Sequence, residues 1–341
     1  MVVEFIRPWW RVRVGAIVLG GVMALTACSS PVSTPGNLVG TIRVDGSSTV
    51  YPITEAVAEE FMKLHHRVRP TVGISGTGGG FKKLCAGESD ISDASRPIKP
   101  SEVELCLKNG IEYIELPVAY DGLAVMVHPT NDWVDYLTVD ELRGIWRPES
   151  PIKRWSDIRP GWPEKDIFLV GADTDSGTFD YFTKAIVGRE GASRSDYTWS
   201  SDDNVLVEAI AGERHSLGYF ALAYYLANRD KLQAVPIDGG DGPVPLSVET
   251  VGDASYQPLS RPVFIYVRKE STERLEVQEF VSFYLTQGPI YVDEVGFVPL
   301  PERAYQLVME RFEKRVTGSV FGGEGSQVGV TVEELLAGEG R

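Results

Sequence analysis

Three short stretches concentrate hydroxyl side chains and glycine at places where an apolar run gives way to a helical one: Gly46-Ser47-Ser48-Thr49, Gly76-Thr77-Gly78-Gly79-Gly80 and Asp175-Ser176-Gly177-Thr178. A helix N-terminus presents unpaired backbone N–H groups and about half a positive charge. Glycine lets a ligand approach that backbone, and each Ser or Thr adds an O–H donor. The combination is a nest for an oxyanion that needs no net positive charge. One such turn alone is more simply an N-cap; three of them point to a shared ligand. A fourth stretch, Asp93-Ala94-Ser95-Arg96-Pro97, adds a guanidinium whose planar fork of donors suits a tetrahedral oxyanion.

The elements that must hold these turns alternate. Gly40–Val44 reads as a strand, and Ile53, Val57, Phe61 and Leu64 fall on one face of a helix that tolerates Pro52 in its first turn. Val72–Ser75 reads as a strand, Gly76–Gly80 as a loop and Phe81–Ala86 as a short helix. Ser101-x-x-Glu104 and Thr138-x-x-Glu141 are capping boxes. Ile114–Val118 and Gly122–Val127 read as two buried strands, and Ile167–Val170 as a third that runs into the Asp175 turn. Asp203–Ala211, Leu275–Leu285 and Pro301–Val316 are helical; Leu217–Ala221 and Pro262–Val267 are strands. The alternation predicts an α/β fold with largely parallel pairing.

Composition narrows the function. The 341 residues carry 33 Lys+Arg against 48 Asp+Glu, a net charge of −15. No basic stripe is available for nucleic acid. A hydrophobic share of 43% excludes an intrinsically disordered chain, and the length suggests two domains. Residues 1–27 read as a signal peptide: Arg7, Arg11 and Arg13 precede the apolar run Val14–Ala24, whose 11 residues fall short of the roughly 20 that span a bilayer. Leu25-Thr26-Ala27-Cys28 is similar to a bacterial lipobox, which implies acylation of Cys28 and a lipid-anchored tether over residues 28–39. Without residues 1–27 the net charge is −17. In the oxidising compartment that such a signal reaches, Cys85 and Cys106 favour one disulfide. Four scattered histidines, His65, His66, His128 and His215, offer no metal set.

GSSTVYP, GTGGGFKKL, DISDASRPI and TDSGTFDYF, in this order, followed by DNVLVEAIAGERHSLGYFALAYY, resemble the periplasmic phosphate-binding proteins of ABC phosphate importers. The resemblance covers Gly40 to Val316. It implies a two-lobe periplasmic-binding-protein fold (venus-flytrap, type II) with two inter-lobe crossings, near Pro117–Asp121 and Gln257–Pro262. Lobe one would be 40–118 with 261–341, and lobe two 119–260. It carries ligand contact onto Ser48, Thr49, Val50 (through its backbone), Thr77, Ser95, Arg96, Ser176, Gly177 and Thr178. Enterobacterial members have an Asp at the position of Ser95, which accepts the ligand's proton, and an Arg three residues upstream of Asp175, where this chain has Ala172. The resemblance then implies that the cation has moved to Arg96 and the proton-accepting carboxylate to Asp175. A buried carboxylate of that kind accepts a bond from protonated phosphate and leaves sulfate facing an unpaired acceptor, which can discriminate by roughly 10⁴–10⁵-fold.

The function implied is capture of inorganic phosphate and delivery to a membrane ABC permease, by a monomer outside the cytoplasm that needs no cofactor and does no covalent chemistry. Screening over about 8–10 Å lets local donors outweigh the acidic surface. Three other readings use the same residues: a receptor for sulfate or molybdate, a phosphate sensor without transport, and a hydrolase with Ser176 or Ser48 as nucleophile. The last lacks a Gly-x-Ser-x-Gly elbow and a histidine near either serine.

Overall fold

Strand β1 (Gly40–Gly46) alternates, with Ile42 and Val44 buried and Thr41 and Arg43 turned outward. It leads through the Ser47–Val50 turn into α1 (Tyr51–Leu64), which buries Ile53, Val57 and Phe61 but leaves Leu64 exposed. β2 (Val68–Ile74) is followed directly by α2 (Gly76–Cys85). The glycine run expected to be a loop is therefore the first turns of a helix. Gly80 shows why glycine stands there: a Cβ would sit 2.5 Å from Ser92 Oγ and 2.7 Å from the Gly46 Cα, so only a bare backbone lets α2 lie this close to the sheet. Next come β3 (Ile91–Ala94) and α3 (Pro100–Lys108). α3 starts earlier than Ser101-x-x-Glu104 suggests. Pro100 takes the first turn, and the Glu102 carboxylate accepts the Lys99 N–H at 2.9 Å. Cys85 at the end of α2 is disulfide-bonded to Cys106 of α3.

The computed structural model describes residues 38–325 with Val332, Leu335 and Leu336. The signal peptide, Cys28 and all but the last two residues of the tether lie outside the described residues.

β4 (Tyr113–Val127) is one continuous strand of 15 residues where two were expected. The segment taken as a crossing is mid-strand: Leu116, Pro117, Ala119, Tyr120 and Asp121 all pair with β8 (Ser260–Arg268). Beyond α4 (Val139–Trp146), capped by Thr138 and Glu141 as expected, come β5 (Phe168–Ala172), α5 (Gly177–Phe182) and β6 (Thr198–Ser200). α6 (Asp203–Ala211), β7 (Ser216–Ala221) and α7 (Leu222–Ala227) follow. After β8 the chain adds α8 (Leu275–Thr286) and α9 (Glu302–Glu313).

The strands run in the order β2-β1-β3-β8-β4-β7-β5-β6. β1 is parallel to β2 and β3, and β5 is parallel to β6 and β7. The pairs at the centre, β3–β8, β8–β4 and β4–β7, are antiparallel. The sheet is thus mixed rather than largely parallel: helical crossovers build each parallel wing, while β4 and β8 run between the wings in opposite senses. One core takes its buried apolar side chains from Ile42–Ala119 and Val263–Leu336, with Ala223. A second takes them from Leu123–Leu259, with Val298. β4 passes from the first core to the second, and β8 brings the chain back. Among the described residues no helix is long and apolar enough to cross a membrane.

Candidate anion-binding site

The three hydroxyl-rich turns meet where the two cores face each other. Thr49, before α1, and Thr178, at the start of α5, share a hydrogen bond of 3.0 Å between their hydroxyls. Thr77 of α2 and Ser95 after β3 pair at 3.2 Å, and the Ser95 N–H also donates to Thr77 Oγ1. Gly177 lies against this pair: a Cβ there would sit 2.5 Å from Ser95 Oγ and 2.7 Å from Thr77 Oγ1. The Gly78 N–H donates across to the Asp175 carbonyl at 2.9 Å. Ser48, Thr49, Val50, Thr77, Ser95, Ser176, Gly177 and Thr178 are all buried.

Capping accounts for only one of these hydroxyls. Ser176 Oγ accepts the Thr178 N–H at 3.1 Å and caps α5. The positions before α1 and α2, Val50 and Ser75, make no side-chain cap. The hydroxyls of Thr49, Thr77 and Ser95 are instead turned to the seam, where they can serve as donors or acceptors.

Arg96 and Asp175 stand elsewhere than the sequence reading put them. The buried Arg96 guanidinium is taken up by carboxylates: Nε donates to Asp180 at 2.7 Å, and Nη1 and Nη2 donate to Glu102 at 2.8 and 2.7 Å. Burial works against its charge, but Glu102 and Asp180 outweigh that and hold the guanidinium more firmly protonated. Since Asp180 is on α5, Arg96 ties the two sides together. Lys99 Nζ reaches the same Asp180 oxygen at 2.7 Å. The Asp175 side chain is 55% exposed and pairs with Lys82 at 3.3 Å. It is not the buried carboxylate expected there.

Two charged residues at the seam, Arg261 and Asp203, were not expected, and neither was Asp93, buried beside Thr54 on the side of the first core. Arg261 of β8 is buried and donates from Nη2 to Thr178 Oγ1 at 2.8 Å and from Nη1 to the Gly177 carbonyl at 3.0 Å. Its Nε and Nη2 also hold Asp121 of β4. Asp93 of β3 is buried, and neither of its carboxylate oxygens has a hydrogen-bond partner among the described residues. Burial pushes its pKa up to about 8. The neighbouring Thr54 hydroxyl, itself 3.0 Å from Tyr284 Oη, offsets part of that, and Asp45 adds to it. Asp203 at the start of α6 is also buried, with Oδ2 unpartnered among the described residues.

Signals for two of these are visible in the sequence. The tripeptide Ser-Arg-Pro occurs at residues 95–97, just after β3, and again at 260–262, where it opens β8. Asp93 lies inside the DISDASRPI motif, two residues from the position credited with the proton-accepting role. Asp203 follows the N-cap Asp202 and has no separate sequence signal.

The arrangement suits a tetrahedral oxyanion: hydroxyls and helix N-termini supply donors, and Arg261 supplies a cation already fixed by Asp121.

A model described as a PBP superfamily domain matches residues 31–287. Protein SphX of Synechocystis sp. is 47% identical over 317 residues, which is 92% of this chain and 94% of that protein. The phosphate-binding protein PstS of Staphylococcus aureus is 35% identical over 301 residues, 87% of this chain and 90% of its own. A substrate-binding protein from Clostridium perfringens, solved with bound phosphate, is 27% identical with a TM-score of 0.65, and the match covers 77% of this chain and 100% of that one.

Proposed function

We propose, from the premise that this chain belongs to the PBP superfamily and is PstS-like, that it closes two lobes around inorganic phosphate and hands the anion to an ABC phosphate importer. Lobe one comprises 40–118 with 261–341 and lobe two 119–260. Ser48, Thr49, the Val50 N–H, Thr77 and Ser95 approach the anion from lobe one. Ser176, Gly177 and Thr178 close from lobe two. Arg261 acts through Thr178, and Arg96 holds the lobes together through Asp180.

The observation that carries this reading is the meeting of buried hydroxyls from both lobes, Thr49 with Thr178 and Thr77 with Ser95 against Gly177, beside the Arg261 guanidinium. The PstS relative is a phosphate-binding protein, and a phosphate O–H can donate to these hydroxyl oxygens where sulfate has none to give. PBP-family relatives of this kind are substrate-binding proteins, and the site needs only binding and closure. Outside the cytoplasm, the chain is held to the membrane by acylated Cys28 and works as a monomer.

Calorimetric titration of the purified, anion-stripped protein with phosphate and then sulfate tests the reading. Phosphate binding at micromolar or tighter affinity with sulfate silent is expected. Equal binding of both would make the protein a general oxyanion receptor, and binding of neither would overturn the reading.

A further inference from the structure

Beyond α9 the chain runs back over lobe one as a strap, residues 318–325, which lies past the 31–287 matched by the PBP superfamily domain. Gly318 bridges to Ile114 of β4, its N–H donating to the Tyr113 carbonyl at 2.9 Å. The Ser319 hydroxyl and the Val320 N–H, the latter at 2.8 Å, donate to the buried Glu115 carboxylate. The Phe321 ring stands edge-on to Phe264 of β8, with centroids 5.3 Å apart. At Gly323 a Cβ would lie 3.1 Å from Val103 of α3, and the buried Gly325 donates its N–H to the Ile98 carbonyl at 3.1 Å. These hydrogen bonds all lie within lobe one.

Ile98 is held from its other side too. Its N–H donates to Tyr266 Oη at 2.9 Å, and Tyr266 Oη in turn donates to Glu115. One buried carboxylate thus anchors the strap and the tyrosine that grips Ile98, and a carboxylate satisfied by several donors is a rigid post. The Tyr266 ring also packs edge-on to Phe81, over which the Arg96 guanidinium lies at 5.4 Å.

Ile98 sits between the two cations that cross to lobe two. Arg96 Nε and Lys99 Nζ each reach Asp180 at 2.7 Å, and Lys99 Nζ is 3.3 Å from Glu190. The strap ends beside this latch: a Cβ at Gly325 would lie 3.3 Å from Glu190 Oε2 and 3.7 Å from Lys99 Cγ. Long cationic side chains lose rotamer freedom when they settle on one partner, and a backbone fixed beforehand lowers that cost.

We propose that the strap 318–325 is a positioning element for lobe closure. By fixing the carbonyl of Ile98 directly and its N–H through Glu115 and Tyr266, it aims Arg96 and Lys99 at Asp180 and so strengthens phosphate binding without touching the anion. Glu115, Tyr266 and Gly325 are positioning residues in this sense. The proposal rests on the phosphate reading.

The test is a double-mutant cycle on the purified protein, read by calorimetric titration with phosphate. Phe321→Ala loosens the strap at a residue that belongs to neither the latch nor the anion site. It is expected to weaken phosphate binding about tenfold in the wild-type background, and less than about twofold in Asp180→Ala, where Arg96 and Lys99 have lost their shared partner. A strap that merely supports lobe one would cost the same factor in both backgrounds, and that result overturns the proposal. So does an affinity for Phe321→Ala within about twofold of wild type. If melting shows Phe321→Ala unfolded at the assay temperature, Ser319→Ala, which removes one donor to Glu115, carries the same comparison at about three- to fivefold. Equal losses in a wild type that binds phosphate overturn this proposal alone. A wild type that binds no phosphate overturns the phosphate reading and this proposal with it.

Discussion

Thr49 and Thr178, 129 residues apart in the chain, share a hydrogen bond of 3.0 Å, and Arg261 donates to the same Thr178 hydroxyl at 2.8 Å. One lobe-two hydroxyl is thus aimed by a cation that Asp121 holds in place, and it meets its lobe-one partner only when the lobes are together. Thr178→Val preserves shape but strands a buried guanidinium donor and the Thr49 hydroxyl. A buried group left without its partner costs about 1–3 kcal/mol. Phosphate affinity should fall roughly tenfold to a hundredfold, read by titration calorimetry. A variant within twofold of wild type would remove Thr178 from the site.

Gly177 is required by distance rather than by backbone conformation. Its missing side chain leaves room for Ser95 Oγ at 2.5 Å and Thr77 Oγ1 at 2.7 Å from where a Cβ would stand. Both obstructing atoms belong to the other lobe. Gly177→Ala should therefore fold normally yet resist closing. The expected result is an unchanged melting temperature without ligand, phosphate affinity down by more than tenfold, and a solution scattering profile that no longer contracts on adding phosphate.

Asp93 makes a signed prediction with pH. Its carboxyl titrates in the ordinary range near 4 in the unfolded chain and near 8 in the folded one, because it is buried. Between those values the native state keeps a proton that the unfolded chain has released. Its contribution to stability therefore declines as pH rises from 4 to 8. Asp93→Asn removes this dependence. In anion-free buffer the melting temperature of the variant relative to wild type should climb across that window, being least favourable to the variant at pH 4. A difference that is flat with pH would show that Asp93 is not held protonated.

The Cys85–Cys106 disulfide joins the far end of α2, whose first turns carry Thr77, to α3 across a sequence separation of 21. Closing a loop of this size contributes roughly 3 kcal/mol. The double variant Cys85→Ala, Cys106→Ala should lose about that much in denaturant unfolding. Phosphate affinity should stay within a few-fold, because Thr77 is fixed by Ser95 and not by the cysteines.

What the sequence made legible follows from how local each feature is. The Ser47–Val50 and Ser176–Thr178 turns could be read because hydroxyls, glycine and helix starts lie within a few adjacent residues. The glycine run at Gly76–Gly80 was taken for a loop because low helix propensity is a local signal, whereas the reason it is helical, close packing of Gly80 on Ser92 and Gly46, is tertiary. β4 reads as two apolar runs, Ile114–Val118 and Gly122–Val127, because the segment between them ends on the charged Asp121; pairing with β8 on one side carries the strand through it. Arg96 and Asp175 suit an anion site by residue type and by the family resemblance, neither of which shows what they pair with. Their partners, Asp180 at 84 residues and Lys82 at 93 residues, are separations that no motif spans. Asp93 and Arg261 needed the same long-range information, since what marks each is its surroundings after folding.

Asp180 and Asp175, two of the carboxylates that take cations across the lobes, separate burial from mere proximity. Asp180 is 4% exposed and takes Arg96 and Lys99 at 2.7 Å each, while Asp175 and Lys82 are 55% and 64% exposed at 3.3 Å. Removing one member of a buried pair leaves an uncompensated charge, at about 3–5 kcal/mol, whereas an exposed pair is worth about 0–1 kcal/mol. The Asp180 contact bridges the lobes, and Arg96 keeps Glu102 when Asp180 is removed, so most of the loss from Asp180→Ala should appear in closure. Phosphate binding should fall by more than about tenfold, while unfolding of the anion-free protein shifts much less. Lys82→Ala should change affinity less than about fivefold, and even that small effect should vanish in high salt. If Lys82→Ala proved as damaging as Asp180→Ala, the closed lobes would be held by their surface charges, and Arg96 would be returned to direct contact with the anion.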